Sequence, residues 1–256
     1  MSQTNDINRL MEAAGRAFQA GDHLGAADLF RQALHVDATP FSEAARQFVA
    51  GFPVQDLSQF WRAPADLYPA GGDVKDVFDF IYERRVWGGG SGAGSNLPVT
   101  VPYIGYLRYL MECHDVRTVV DIACGDWRFT CHLDFTGRDY IDYDVVPSVV
   151  ESNRAAYGAP NIRFEQGDAA RMEQLPTVDL VVCKDVLQQL SNAIVARVLE
   201  KCSAARLALF TNDYHPLNAD CHDGDTRPLD VTRAPFALPA RPVLQFGRKV
   251  CFLHQR

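Results

Sequence analysis

Arg117-Thr-Val-Val-Asp121-Ile-Ala123-Cys124-Gly125-Asp126-Trp127 is the stretch that decides how this 256-residue chain folds. Residues 117–123 are short, β-branched and closed by a turn, which marks a strand buried on both faces. Before it, residues 102–115 repeat Tyr103, Leu107, Leu110 and Met111 at helical spacing. After it the alternation continues. Strands are expected at 140–145, 161–164, 179–183 and 207–211, and helices at 148–157 and 192–204, the second with Ile194, Val198 and Leu199 inward. Residues 243–246 and 249–253 flank Gly247-Arg248 as a hairpin. Strands that alternate with helices imply a mostly parallel sheet covered on both faces, and the hairpin adds an antiparallel edge. The expected fold is α/β: a doubly wound, seven-stranded, mostly parallel sheet preceded by a small α-helical segment.

Upstream the chain changes character twice. Residues 5–52 are Ala-rich and lack strand alternation. Gly21-Asp22 divides them into two helices, and small Ala26 and Ala33 on either side of Phe30 let the second pack closely on the first. The glycine turn, Ala, Phe and Ala at these intervals resemble the second half of a tetratricopeptide repeat, although a stacked array needs roughly three repeats. Residues 53–73 carry Pro53, Pro64, Pro69 and Gly71-Gly72, the chemistry of a connector. An amphipathic stretch from Val74 to Arg85 then leads into Trp87-Gly-Gly-Gly-Ser-Gly-Ala-Gly-Ser95, with five glycines in the eight residues from Gly88. The expected divisions are a helical hairpin over 1–60, a connector and glycine-rich lid loop over 61–100, and the α/β domain over 101–256.

Composition narrows the class. A hydrophobic fraction of 47% with 22% charged residues is globular, and a net charge of −7 with no long basic block argues against a nucleic-acid surface. No apolar run approaches the ~18 residues of a membrane span, and the polar opening carries no secretory signal. Seven dispersed cysteines (113, 124, 131, 183, 202, 221, 251) suit reduced thiols better than a disulfide framework. The expected location is the cytoplasm, with no membrane or nucleic-acid partner.

Ligands of such sheets sit beyond the carboxyl ends of the strands. Here those ends carry Asp121 with the turn Ala123-Cys124-Gly125, then Asp144 with Val145, Gly167-Asp168-Ala169, Cys183-Lys184-Asp185, and Thr211-Asn212-Asp213-Tyr214-His215. Asp144 follows Asp121 by 23 residues, the spacing at which an acid on the neighbouring strand tip takes both hydroxyls of a ribose. A dinucleotide-binding dehydrogenase would instead need Gly-x-Gly-x-x-Gly after the first strand. Asp121 before the turn and Asp126 within it are badly placed beside a pyrophosphate.

This set resembles the class I S-adenosylmethionine-dependent methyltransferases. Their acid-x-Gly-x-Gly-x-Gly loop stands here as Asp121, Ala123, Gly125 and Trp127. A bacterial subgroup of that family carries Cys-Gly-Asp-Trp at this place, a Trp-Gly-Gly-Gly-Ser-Gly loop upstream, Lys-Asp-Val-Leu-Gln after the fourth strand, and Thr-Asn-Asp-Tyr, Arg-Pro-Leu-Asp and Pro-Phe-x-Leu-Pro downstream. These match Trp87 onward, Lys184 onward, Thr211 onward, Arg227 onward and Pro235 onward, so the resemblance spans about residues 76–256. It implies S-adenosylmethionine as cofactor. Asp121 and the backbone of Ala123, Cys124 and Gly125 would face its methionine part, Asp144 its ribose, Val145 its adenine, and Asp168 beside Ala169 the adenine amino group. Lys184 and Asp185 would lie near the sulfonium and the substrate mouth, while Tyr82, Trp87 and Gly88 close over the top.

Methyl transfer is an in-line displacement that rests on positioning in a dry pocket. A hydroxyl acceptor also needs a base, and His215 and Asp213 are the expected candidates, with Asn212 and Tyr214 as orienters. Gln189 stands where the subgroup often has His. In the polar segment 213–242, Asp223 and Arg227 are expected to grip a polar acceptor. The adjacent Cys-His pairs lack zinc-ligand spacing, which leaves Asp213, Asp220 and Asp223 as a weak divalent-ion set. The expected function is methyl transfer to an oxygen or nitrogen of a small polar molecule or glycan. The alternative is a protein methyltransferase or protein-binding module that recruits its partner through residues 1–60, with catalysis weakened or lost where Ala123 and Trp127 replace glycines.

Overall fold

Val119 and Val120 are neighbours in sequence yet pack into opposite layers, as do Leu209 and Phe210, which is the alternation a strand covered on both faces demands. The computed structural model describes residues 3–53 and 73–256. Its seven strands are β1 (Thr118–Ile122), β2 (Asp139–Asp144), β3 (Ile162–Gln166), β4 (Leu180–Lys184), β5 (Leu207–Asp213), β6 (Ala240–Phe246) and β7 (Lys249–Gln255). They lie in the order β3-β2-β1-β4-β5-β7-β6. The first five pair in parallel, and the closing hairpin inserts β7 antiparallel against β5 and leaves β6 at the edge. The chain winds outward from β1 to β3, then returns to β4, so the switch point lies between the tips of β1 and β4. That is where an open α/β sheet forms its crevice.

The helices are α1 (Gln3–Gln19), α2 (His23–Val36), α3 (Thr39–Gly51), α4 (Val74–Glu83), α5 (Leu97–Cys113), α6 (Pro147–Tyr157) and α7 (Asn192–Cys202). One layer joins α5 and α2 to Val119, Leu180, Leu207 and Leu253. The other joins α4 and α7 to Val120, Val181, Phe210 and Phe252. Local chemistry sets the ends. Asp22 caps α2 by accepting the Gly25 amide at 2.9 Å, and Asp73 and Asp76 form a capping box on α4. Helix α5 starts five residues before the expected position 102. Pro98 sits in its first turn, where no carbonyl waits for an N–H, and Pro102 inside the helix forfeits one bond.

The N-terminal segment holds three helices, where the sequence pattern gave two. Helix α3 carries Pro40 in its first turn and lies along the edge strand β6, which it shields from further strand pairing. Its Phe41 packs with the first layer, and Phe48 and Phe52 with the second. The small face of α2 meets α5 as well as α1. A β-carbon on Gly105 would lie 2.6 Å from the Ala27 carbonyl oxygen and 3.0 Å from the Phe30 ring. The connector read at 53–73, and with it the boundary at residue 60, falls almost wholly outside the described residues. Among the described residues no helix is long and apolar enough to cross a membrane. All seven cysteines are unpaired thiols, and Cys124, Cys183, Cys202 and Cys251 are buried.

Candidate functional site

The parallel register aligns Asp121 with Asp142 on β2, so Asp144 projects from the next outward position of the neighbouring tip. Three carboxylates therefore share one buried place: Asp121, Asp142 and Asp144 are 6%, 0% and 4% exposed. Burial pushes Asp121 up to about 7 with help from Asp144, against the Tyr140 hydroxyl and the Lys184 ammonium. It pushes Asp144 up to about 6, against the backbone N–H groups of Val146, Gly125 and Val145. Asp142 rises well above the ordinary carboxylate range through burial and its two acidic neighbours.

The turn after β1 is held from below and from the side. Cys124 donates its amide to Asp142 Oδ1 at 3.1 Å, Ala123 its amide to the Tyr143 carbonyl at 2.9 Å, and Asn153 Nδ2 donates to the Gly125 carbonyl at 2.7 Å. Ala123, Gly125 and Trp127 have φ of 57°, 61° and 54°. This explains the glycine preference at these places and shows that Ala123 and Trp127 hold the same turn against steric cost.

The glycine-rich segment is the roof. Ser91 Oγ accepts the Asp126 amide at 2.7 Å and meets the Tyr82 hydroxyl at 3.1 Å. Trp87 packs edge-on against Tyr82 and Phe78. The far end is tied down where Lys184 Nζ donates to the Gly94 carbonyl at 3.0 Å. Burial and the Asp144 carboxylate push the Tyr82 hydroxyl well above its ordinary value.

The opposite wall is a chain of charges. Lys184 pairs with Asp185 at 2.5 Å, and its ammonium lies 5.0 Å from the centre of the Phe129 ring. Lys249 bridges Asp185 at 2.6 Å and Asp213 at 3.0 Å. Burial raises Asp185, but the two lysines outweigh it and hold the carboxyl below its ordinary range. Asp185 itself sits at φ 62°.

One pocket thus gathers Tyr82, Trp87, Asp121, Ala123, Cys124, Gly125, Asp144, Val145, Asp168, Ala169, Lys184 and Asp185. Gly88 is outside its lining; with φ 83° and its amide on the Arg85 carbonyl at 2.8 Å, it makes the turn into the roof. Asp168 Oδ1 accepts the Ala170 amide at 2.9 Å, and its other oxygen lies 3.4 Å from Arg171.

The residues expected to handle the acceptor do not line this pocket. Tyr214 is buried among Phe48, Phe52 and Phe252, its hydroxyl donating to the Val49 carbonyl at 3.4 Å. His215 stacks edge-on with Phe52, and its Nδ1 accepts the Leu217 amide at 3.1 Å. Both meet α3, which comes from a distant part of the chain. Asn212 Oδ1 accepts the Gln188 amide at 3.3 Å, and Asp213 is joined to the pocket through Lys249.

Asp223 and Arg227 build wall instead of gripping a ligand. Asp223 accepts the Ser191 amide at 2.7 Å, and Arg227 donates to the Leu190 carbonyl and Asn192 Oδ1 at 3.0 and 2.7 Å. Asp220 likewise caps α7 through the Asn192 amide at 2.7 Å. Asp213, Asp220 and Asp223 are spent separately, and no metal-holding group of three such side chains occurs among the described residues.

Sequence reasoning missed Asp142, Lys249 and Ser91. Asp142 was legible as an acid two positions from Asp144 on the same strand face. Lys249 is placed by the hairpin register, which sets it opposite Asp213.

Residues 119–207 match the family model described as "Methyltransferase domain". The matched segment runs from β1 through the start of β5 and carries the strand tips with Asp121, Asp144, Asp168 and Lys184, so this part of the pocket is similar to a methyltransferase domain. No curated protein matches the chain. Similar solved structures include the magnesium protoporphyrin IX methyltransferase from Synechocystis PCC 6803 with bound SAM, at 15% identity and TM-score 0.48, over 73% of this chain and 99% of that one. An S-adenosylmethionine-dependent methyltransferase from Clostridium acetobutylicum is similar at 11% identity and TM-score 0.46, over 60% and 90%. The mitomycin 7-O-methyltransferase is similar at 14% identity and TM-score 0.45 over 62% of this chain, which spans 57% of that protein's length.

Proposed function

We propose that the protein transfers a methyl group from S-adenosylmethionine to an oxygen or nitrogen atom of a small polar molecule or glycan. The observation that carries this reading is the pair Asp121 and Asp144, buried on adjacent strand tips at the switch point beneath a clasped roof. The donor set fits the cofactor. Buried carboxylates that burial pushes up to about 7 and about 6 would regain their charge beside a cation, and an acid at the tip of β2 supports the reading in which Asp144 accepts two ribose hydroxyls.

The cofactor, when bound, supplies an electrophilic methyl group on a sulfonium. The chain's own residues do the rest. Asp121 would hold the ammonium of the methionine part, Asp144 the ribose, Val145 and Ala169 the adenine faces, and Asp168 the adenine amino group. The ring of Phe129 lies beside Lys184 on the far wall. The roof from Trp87 to Ser95, fastened by Ser91 and by Lys184, would exclude water and hold the reacting groups in line.

The test is transfer itself. Incubation with methyl-labelled S-adenosylmethionine and a panel of amines, phenols, carboxylates and sugars should place label in one acceptor class, with an equal amount of S-adenosylhomocysteine formed. Label that stays in the cofactor across the panel, or that enters only added protein, would overturn the reading.

A further inference from the structure

A tryptophan at φ +54° is a costly choice for the last position of the β1 turn, where a glycine would pass without strain. Its side chain gives the reason. Trp127 is 3% exposed, and its indole Nε1–H donates to the Tyr140 hydroxyl oxygen at 2.9 Å. That hydroxyl in turn donates to Asp121 Oδ2 at 2.9 Å. Tyr140 is 1% exposed, so both bonds lie in a dry interior. The rings are locked around them: Phe135 lies 4.7 Å from Tyr140 and 6.0 Å from Trp127, and Phe164 closes edge-on at 5.3 Å from Trp127. Each donor in the chain has one acceptor, and the chain ends on the carboxylate that faces the pocket.

We infer that Trp127 and Tyr140 are positioning residues that fix the orientation and the ionisation of Asp121, and so set how tightly the pocket takes a cationic cofactor. This rests on the reading above, in which Asp121 meets the cofactor's methionine part. A fixed phenol donor favours the ionised carboxylate, and a phenol oxygen that itself accepts the indole N–H is the better donor. Asp121 is otherwise faced by groups of both signs. Asp142 and Asp144 come from β2, Lys184 and the Cys183 thiol from β4, the Tyr103 phenol from α5 and the Cys124 thiol from the turn. Beside the Ile122 backbone N–H, Tyr140 is the side chain that donates to its oxygen, at 2.9 Å. The tryptophan that looks like decay of a glycine loop is, on this account, part of the cofactor machinery.

The experiment has two arms on the full-length protein. In the first, nitrogen-labelled protein without cofactor is titrated from pH 5.5 to 8.5, and the Trp127 indole N–H resonance, assigned by its loss in Trp127→Phe, is followed. The wild type should show an inflection near pH 7 that vanishes in Asp121→Asn and in Tyr140→Phe. In the second arm, S-adenosylmethionine affinity is measured by calorimetry from pH 6 to 8 for the wild type, Tyr140→Phe and Asp144→Ala. Tyr140→Phe keeps every ring contact and should bind about fivefold more weakly at pH 7 and about tenfold more weakly at pH 6, the two affinities converging towards pH 8 and above, as a rise of about one unit at Asp121 requires.

A merely structural tyrosine would lower affinity equally at every pH. An indole resonance without inflection in the wild type, or one that titrates unchanged in Tyr140→Phe, overturns the proposal even if the variant proves unstable. Cofactor profiles of wild type and Tyr140→Phe that superpose overturn the positioning role alone. A wild type that binds no cofactor overturns the cofactor reading and the positioning role with it.

Discussion

Ser91 stands directly on Gly125: a β-carbon at Gly125 would lie 2.0 Å from the Ser91 hydroxyl oxygen and 3.0 Å from that of Tyr82. The same serine oxygen accepts the Asp126 amide, so the roof and the turn after β1 are built to touch. Gly125→Ala therefore adds a clash to an alanine at φ +61°. It should lower stability by about 1–3 kcal/mol and weaken cofactor binding at least tenfold. Ser91→Ala, which removes the nearest atom of the clash and leaves the residue-91 β-carbon at 2.8 Å, should restore part of the stability in the double variant. Paired urea unfolding and calorimetry check both statements.

Lys249 holds two carboxylates in the far wall with its side chain 11% exposed. Removing one member of a buried ionic cluster strands the others. Lys249→Met should cost about 3–5 kcal/mol, and Asp185 should rise from below its ordinary range, since one of the two ammonium groups holding it down is gone. Chemical denaturation gives the first quantity. The second appears as a smaller acid-side loss of stability in the variant, because a carboxylate with a depressed folded value contributes stability that disappears as pH falls through that value, and without Lys249 less of that contribution is there to lose.

Tyr214 and His215 belong to the contact with α3. Tyr214→Ala empties a cluster formed with Phe48, Phe52 and Phe252 and should cost about 3–5 kcal/mol. His215→Ala should lower the melting temperature, and cofactor affinity should stay within twofold of wild type in both variants below their melting points. A loss of affinity that exceeds the loss of folded protein would return these residues to the site.

Asp121 and Asp144 are held above the ordinary carboxylate value of 3.8, up to about 7 and about 6. In the cofactor-free protein the folded state thus binds more protons than the unfolded state between roughly pH 4 and 7. Their contribution to stability is fully present below the unfolded value and is lost as pH rises through 6 and 7. A bound cation reverses this by favouring the carboxylates, so cofactor binding near pH 6.5 should release protons. The binding enthalpy should accordingly be more exothermic in imidazole than in phosphate, and the difference should vanish above pH 8.

The fold was legible because its signals are local. Each strand is a short apolar run with a turn behind it, and alternating elements leave few topologies to choose from. The pocket residues were legible for the same reason: in a parallel sheet the strand tips coincide, so Asp121, Asp144, Asp168 and Lys184 were located by chain position alone. What escaped depends on distant pairings. Helix α3 packs on Tyr214 from more than 160 residues upstream, and no pattern near His215 announces it. Lys249 reaches Asp213 through a hairpin register. Trp127 read as a departure from a glycine pattern because its value lies in a hydrogen bond to Tyr140, which sequence spacing does not display.

The central claim is that the buried acids at the switch point hold S-adenosylmethionine. Calorimetric titration of the wild type and of Asp144→Ala with S-adenosylmethionine tests it most directly. The account predicts micromolar binding at pH 7.5 by the wild type and a loss of at least a hundredfold in the variant, with its fold intact by circular dichroism. Equal affinity in the two proteins, or a wild type that takes up no cofactor, would contradict it.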